Sequence, residues 1–225
     1  MNTNMTSAIP VGELAVQHPL ATRVFARHQI DYCCGGGRPL FEVCTAKGLD
    51  ADRILDEIRQ EIAPADVPVS RWDTAPLGEL IAHILVTFHG PLREELERLA
   101  GMADKVVRVH GDKDPVRLRE LQAVFDGLKA ELDDHMMKEE AILFPMVLRG
   151  QGGGATGPVA VMLREHQEAG DALRRLRALT DDYTVPEGAC TTWRALWFGL
   201  AALEVSLHEH IHLENNILFP RALAQ

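Results

Sequence analysis

Apolar residues recur at alternating steps of four and three along four long stretches of the chain, the spacing of one buried helical face. The first stretch runs from near Ala75 towards Val109 and carries Ile81, Leu85, Leu92, Leu96 and Leu99. The second, Asp114 to Leu148, carries Leu118, Leu121, Phe125, Leu128, Leu132 and Ile142. The third begins near Pro158, carries Val159, Met162, Ala169, Leu173 and Leu176, and fades around Thr180. The fourth carries Leu196, Leu200, Leu203, Leu207 and Ile217. It is predicted to start at Thr184, which has capping-box spacing to Glu187, and to run towards Pro220. Ahead of these lies a shorter helical module with Leu55, Ile58 and Ile62, and nothing reads as a strand. Ala63 to Ser70, with Pro64 and Pro68, reads as a linker, and five glycines make Gly150 to Gly157 a flexible break. The expected fold is all-α: a small helical N-terminal domain in residues 1–65 and a four-helix bundle in 66–225.

The stripes are interrupted by six polar residues that occupy apolar positions. An internal repeat relates them. His135 to Pro145 and His210 to Pro220 share His-x-x-x-Glu-x-x-Ile-Leu-Phe-Pro at an offset of 75 residues, and His89 and His166 hold matching places on the first and third helices. Each half is a helical hairpin with one lone histidine followed by a His-x-x-x-Glu pair. Taken alone, a residue such as His89 is a hydrogen-bonded packing histidine. Six residues placed by a repeated pattern on four facing seams are not. An ionised carboxylate in such a seam is costly unless paired or bound to metal, and clustered basic partners are missing. His89, His135, Glu139, His166, His210 and Glu214 are therefore the candidate ligands. Imidazole with carboxylate suits iron, manganese or zinc. Counting positions favours two ions, with Glu139 and Glu214 each bridging, an oxide or hydroxide bridge, and one open position per ion for a small ligand.

Two rival patterns lose to the repeat. His208-Glu209-His210-Ile211-His212 matches H-E-x-x-H, with His208 and His212 as zinc ligands. Their counterparts in the first copy carry no such pattern, and both lie roughly 200° around the helix from His210, so they are expected at the surface. A ferritin-like oxidase needs two Glu-x-x-His pairs, and only Glu209 to His212 has that spacing. The charge of −10, from 33 acidic against 23 basic side chains, argues against nucleic acid as a partner. The longest apolar run, Ala195 to Leu203, is too short for a membrane span, and Met1 to Val16 lacks a secretory signal, so a cytoplasmic protein is expected. Cys33 and Cys34 before three glycines are either redox-active or iron-handling thiols in a mobile loop, or small buried residues at a glycine turn. Cys44 and Cys190 read as packed thiols. Gly90-Pro91 directly after His89 is expected to kink the first helix beside its ligand.

The six ligands resemble those of the hemerythrin-like di-iron bundle. Together with Asp31-Tyr32-Cys33-Cys34-Gly35-Gly36 in the N-terminal module, they are similar to the repair-of-iron-centres family, as are Cys190 to Trp193 and Leu213 to Pro220. The resemblance covers nearly the whole chain from about Val11. It implies a cytoplasmic di-iron protein, with two irons per chain, that helps restore iron–sulfur clusters damaged by nitric oxide or oxidative stress. Its partners would be damaged iron–sulfur proteins, with nitric oxide or oxygen species as small ligands; a homodimer is allowed. Two roles stay open: supplying iron to clusters, or binding and reducing nitric oxide, oxygen or peroxide at the open positions. With the family match, Cys33 and Cys34 are favoured as reactive thiols.

Overall fold

A computed structural model describes residues 5–63 and 71–225, whose regular elements are helices, with one isolated bridge, Pro10 to Pro39. Of the expected linker Ala63 to Ser70, residues 64–70 lie outside the described residues. The N-terminal module consists of α1 (Val11–Gln17), α2 (Ala21–Arg27), α3 (Leu40–Lys47) and α4 (Ala51–Ile62). Gly48, at φ 67°, ends α3, and the Asp50 carboxylate starts α4 by accepting from the N–H groups of Asp52 and Arg53. Leu14, Phe25, Leu40, Ile54 and Ile58 form its core.

The bundle begins with α5 (Leu77–Ile84), which passes through a π-helical turn, Leu85–His89, into α6 (Gly90–His110). The second helix is α7 (Pro115–Lys138), capped by Asp114, followed by a π turn at Glu139–Leu143 and α8 (Phe144–Leu148). The third is α9 (Thr156–Leu179). The fourth is α10 (Thr191–Leu213), a π turn at Glu214–Leu218 and α11 (Phe219–Leu223). Two apolar clusters fill the bundle, one around Phe125, Leu173 and Trp197, the other around Leu80, Phe144 and Phe219.

The three π turns have a common cause. In each, an N–H reaches the carbonyl five residues back: Gly90 to Leu85, Phe144 to Glu139, Phe219 to Glu214. Each is followed at once by proline (Pro91, Pro145, Pro220). A proline in a regular helix lacks the N–H for the carbonyl four back and strikes it with its ring; the wider turn absorbs both effects. A π turn stands where the kink was expected at Gly90-Pro91, and His89 stays in the bundle. The extra residue also shifts register. Ile142, expected in the seam, is 51% exposed, and Leu143 is buried instead.

The fourth helix starts at Thr191, not Thr184. Asp181, Asp182 and Tyr183 all have positive φ and Gly188 is at φ 73°, so Thr184 and Glu187 lie in a loop and form no capping box. Tyr183 instead donates to Glu204, whose carboxylate also accepts from Arg177 and is buried by both.

The N-terminal module rests on the end of the fourth helix. A Cβ on Gly12 would sit 2.7 Å from Asn216 Oδ1, and one on Gly36 would sit 2.6 Å from the Tyr32 carbonyl, so glycine is required for this approach. The Gly12 N–H donates to Gly36 O at 2.8 Å, tying α1 to the cysteine loop.

Candidate metal centre

All six predicted ligands converge, each at most 3% exposed. His89, Glu139, His210 and Glu214 form one group able to hold an ion, and His135, Glu139, His166 and Glu214 form another. Both carboxylates belong to both groups. His89 comes from the π turn of the first helix, His135 from α7, Glu139 and Glu214 from the first residues of the next two π turns, His166 from α9 and His210 from α10.

The metal-free contacts are those of a ligand set. His89 Nε2 lies 3.2 Å from His210 Nε2, and His166 Nε2 lies 3.0 Å from His135 Nε2. Glu139 Oε2 is 3.4 Å from both His89 Nε2 and His135 Nε2, yet neither of its oxygens makes a hydrogen bond. Glu214 Oε1 meets His210 Nε2 at 3.0 Å, while Oε2, 3.2 Å from His166 Nε2, makes none. Orphaned oxygens on fully buried carboxylates are costly, and four imidazole nitrogens converging on them are a donor set for cations. Burial alone would lower the His135 pKa, but Glu139 and Glu214 outweigh it and lift it to about 9. For Glu214 burial works upward, and His210 and His166 outweigh it, holding the carboxyl well below the usual range.

Outer contacts fix the rings. His89 Nδ1 meets Glu140 at 2.7 Å, His135 Nδ1 meets Glu165 at 3.0 Å, and His166 Nδ1 meets Asn215 Oδ1 at 2.7 Å. With a proton on Nδ1, each ring offers the Nε2 lone pair inward. His210 Nδ1 has no partner. Phe88, which precedes His89 as Glu165 precedes His166, stacks on the His210 ring at 5.2 Å instead. Phe144 and Phe219 of the repeated Leu-Phe-Pro stack on His89 and His166. These outer residues were missed in the sequence, although Glu140 and Asn215 occupy equivalent places in the repeat.

His208 and His212 lie outside both groups, but they are not at the surface. His212 is 4% exposed and His208 half-buried, both beneath the N-terminal module. Tyr32 meets the His212 ring edge-on at 5.3 Å, and burial lowers the His212 pKa to about 4. The cysteine loop is likewise docked. Cys33 is 3% exposed and Cys34 half-buried, with the thiols 3.7 Å apart. Asp31 Oδ1 accepts from the N–H groups of Cys33 and Cys34, and from the Cys33 thiol. That thiol's pKa is pushed well above its ordinary value by the Cys34 hydrogen bond and by burial, so an exposed, reactive Cys33 is not what the fold presents. Cys44 is packed as expected; Cys190 is exposed, 3.2 Å from His110 Nε2. No helix among the described residues is long and apolar enough to cross a membrane.

Residues 80–222 match the Hemerythrin HHE cation binding domain, and residues 8–61 match a domain of unknown function, DUF542. The chain is 47% identical over 216 residues to the iron–sulfur cluster repair protein YtfE of Cronobacter sakazakii, with 96% of each chain covered. Identity to the proteins of the same name from Escherichia coli O81 and Citrobacter koseri is 47% and 46%, again over 96% of each chain. A bundle with a cation-binding pattern, joined to the matching N-terminal module and aligned over almost its whole length, places this chain in the hemerythrin-like family of iron–sulfur cluster repair proteins.

Proposed function

We propose that this chain is a di-iron protein that takes part in repairing iron–sulfur clusters damaged by nitric oxide or oxidative stress, by supplying iron to them. One observation carries the reading: two buried groups of four ligands share Glu139 and Glu214, and three of the four carboxylate oxygens have no hydrogen-bond partner. His89 and His210 would hold one ion, His135 and His166 the other, with both glutamates bridging. Bound there, the iron pair supplies Lewis acidity and one-electron redox capacity, and in repair it is also the cargo. The chain's own part is to present four Nε2 lone pairs and to exclude water with apolar clusters and stacked phenylalanines. In this reading residues 66–225 hold the iron and residues 1–65 form a separate module that carries Cys33 and Cys34. The setting is the cytoplasm, and the clients are damaged iron–sulfur proteins.

A second reading, binding or reduction of nitric oxide or an oxygen species, draws on one further observation. A cavity of about 290 Å³, lined by Val16, Trp72, Phe88, Leu213 and Ile217 among others, is closed on one side by the ring that stacks on His210. The two readings separate when one iron-loaded preparation is assayed for iron transfer to an apo-ferredoxin and for anaerobic nitric oxide consumption. Transfer with loss of protein-bound iron is expected. Sustained nitric oxide consumption with all iron retained would overturn the first reading in favour of the second.

A further inference from the structure

Besides Phe88 and Glu165, the duplication is broken at one further outer position. Glu140 and Asn215 follow the two shared glutamates at the repeat offset of 75, and each faces Nδ1 of the lone histidine of its own half, at 2.7 Å in both cases. Glu140 otherwise meets only the Arg93 guanidinium. Asn215 does something a carboxylate cannot. Its Nδ2 donates to the Cys33 carbonyl at 3.3 Å. A carboxylate at 215 would set lone pairs against that carbonyl, whereas an amide accepts at one end and donates at the other. Two contacts reinforce the junction: the Cys34 thiol donates to the His166 carbonyl at 3.4 Å, and Asn216 Nδ2 donates to the Tyr32 carbonyl at 3.0 Å.

We propose that Asn215 is a two-ended positioning residue that couples metal occupancy at His166 to the accessibility of the Cys34 thiol. The proposal rests on His166 being a metal ligand, as in the function proposed above. The coupling follows from tautomers. A cation on Nε2 leaves the His166 proton on Nδ1, so the Asn215 oxygen must face the ring and its NH₂ must face Cys33, pinning the loop. Without a cation the ring can carry its proton on Nε2. Nδ1 then accepts, the amide turns over, and its oxygen opposes the Cys33 carbonyl, which loosens the loop. The linkage is reciprocal: whatever holds or modifies the loop alters the hold of His166 on its ion.

The test is the rate at which iodoacetamide alkylates Cys34, mapped by mass spectrometry, in full-length protein that is metal-free or loaded anaerobically with ferrous iron. Iron is expected to slow the wild-type reaction by about fivefold or more, the lower end of ordinary coupling. Asn215→Asp keeps the acceptor for His166 and loses the donor, so it should retain iron while the loaded-to-free rate ratio falls to near one. Asn215→Ala loses both ends and should lose iron as well as the ratio. Asn216→Ala, which loosens the loop without touching a ligand, should raise both rates and keep their ratio. The proposal is overturned if iron-loaded Asn215→Asp keeps the wild-type ratio, if Asn216→Ala abolishes it equally, or if wild-type protein binds two irons with no change in alkylation. Wild-type protein that binds no iron overturns the proposed function as well, so the two failures are distinct.

Discussion

Replacing Glu139 with leucine should change stability in a direction that depends on both pH and metal. In the metal-free protein, His135 binds its proton up to about pH 9 because Glu139 and Glu214 outweigh the effect of burial. A histidine whose folded pKa is raised contributes stability that is complete below the unfolded value, near 6.5, and is lost as pH rises through the folded value. The difference corresponds to about 3 kcal/mol for this one group. Wild-type metal-free protein should therefore weaken by about that much between pH 6.5 and pH 9.5, leaving carboxylates unpaired among neutral imidazoles. Glu139→Leu removes the main source of the shift and the orphaned oxygens together, and it leaves His135 to shed its proton at lower pH rather than stay charged and unpaired.

Differential scanning fluorimetry on chelator-treated protein reads the result. Relative to wild type, the variant should gain about 6–12 °C in Tm on going from pH 6.5 to 9.5, at about 2–4 °C per kcal/mol for a chain of this size. Ferrous iron added anaerobically should raise the wild-type Tm and leave the variant almost unmoved, because binding to the folded state stabilises only where a site exists. A wild-type-minus-variant difference that does not change with pH, or an equal iron-induced rise in both proteins, would refute the reasoning.

Three further outcomes are expected. His135→Ala or Glu214→Ala should lower iron, measured by plasma emission spectroscopy, from near two per chain towards one or none; full occupancy in both would remove them from the ligand set. Changing His208 and His212 together to Gln should leave iron content and the optical spectrum intact, yet loosen the N-terminal module by roughly 1–3 kcal/mol through lost packing against Tyr32, read as faster proteolysis of residues 5–63. Phe88→Ala should open the cavity towards His210 and speed the anaerobic reaction of the loaded protein with nitric oxide, while a cavity cost of about 3–5 kcal/mol lowers its stability; an unchanged rate would mean that small ligands arrive elsewhere.

The seams of the third and fourth helices could be read from the sequence: each residue from Val159 to Leu176, and from Leu196 to Ile217, that spacing assigned to the core is buried, Ile217 within its π turn included. The second helix failed at Ile142, where the π turn adds a residue that no hydropathy pattern records. The only local signal is Phe144-Pro145, and it acquires meaning only when the same pair recurs after Glu214. His208 and His212 were misplaced for a different reason. A stripe identifies the face turned towards the bundle, and a second module covering the opposite face leaves no mark on it. The same limit applies to Cys33, whose burial depends on a loop docked through Gly12, Gly36 and Asn216 rather than on neighbours in sequence. The convergence of the six candidate ligands was readable because duplication presents the constraint twice, and polar residues that recur on a buried seam have few explanations besides chemistry.

Duplication also explains why the two halves of the site are not equivalent. Each half provides one histidine backed by a carboxylate, His89 by Glu140 and His135 by Glu165, which makes that imidazole the more basic donor. The remaining two have diverged. His210 has no acceptor at Nδ1 and is stacked by the ring of Phe88, which also lines the cavity; His166 meets an amide that reaches the cysteine loop. The divergence falls on residues next to ligands and never on the ligands, since losing one of six would dismantle a site that shares both carboxylates, whereas changing an outer partner only alters how firmly a ring is held. Phe88 thus stands between His210 and a cavity, while Asn215 stands between His166 and the cysteine loop. Identical outer partners would hold the two ends of the site alike; if one end is to receive a ligand while the other answers to a separate module, Phe88 and Asn215 are the residues that make them differ.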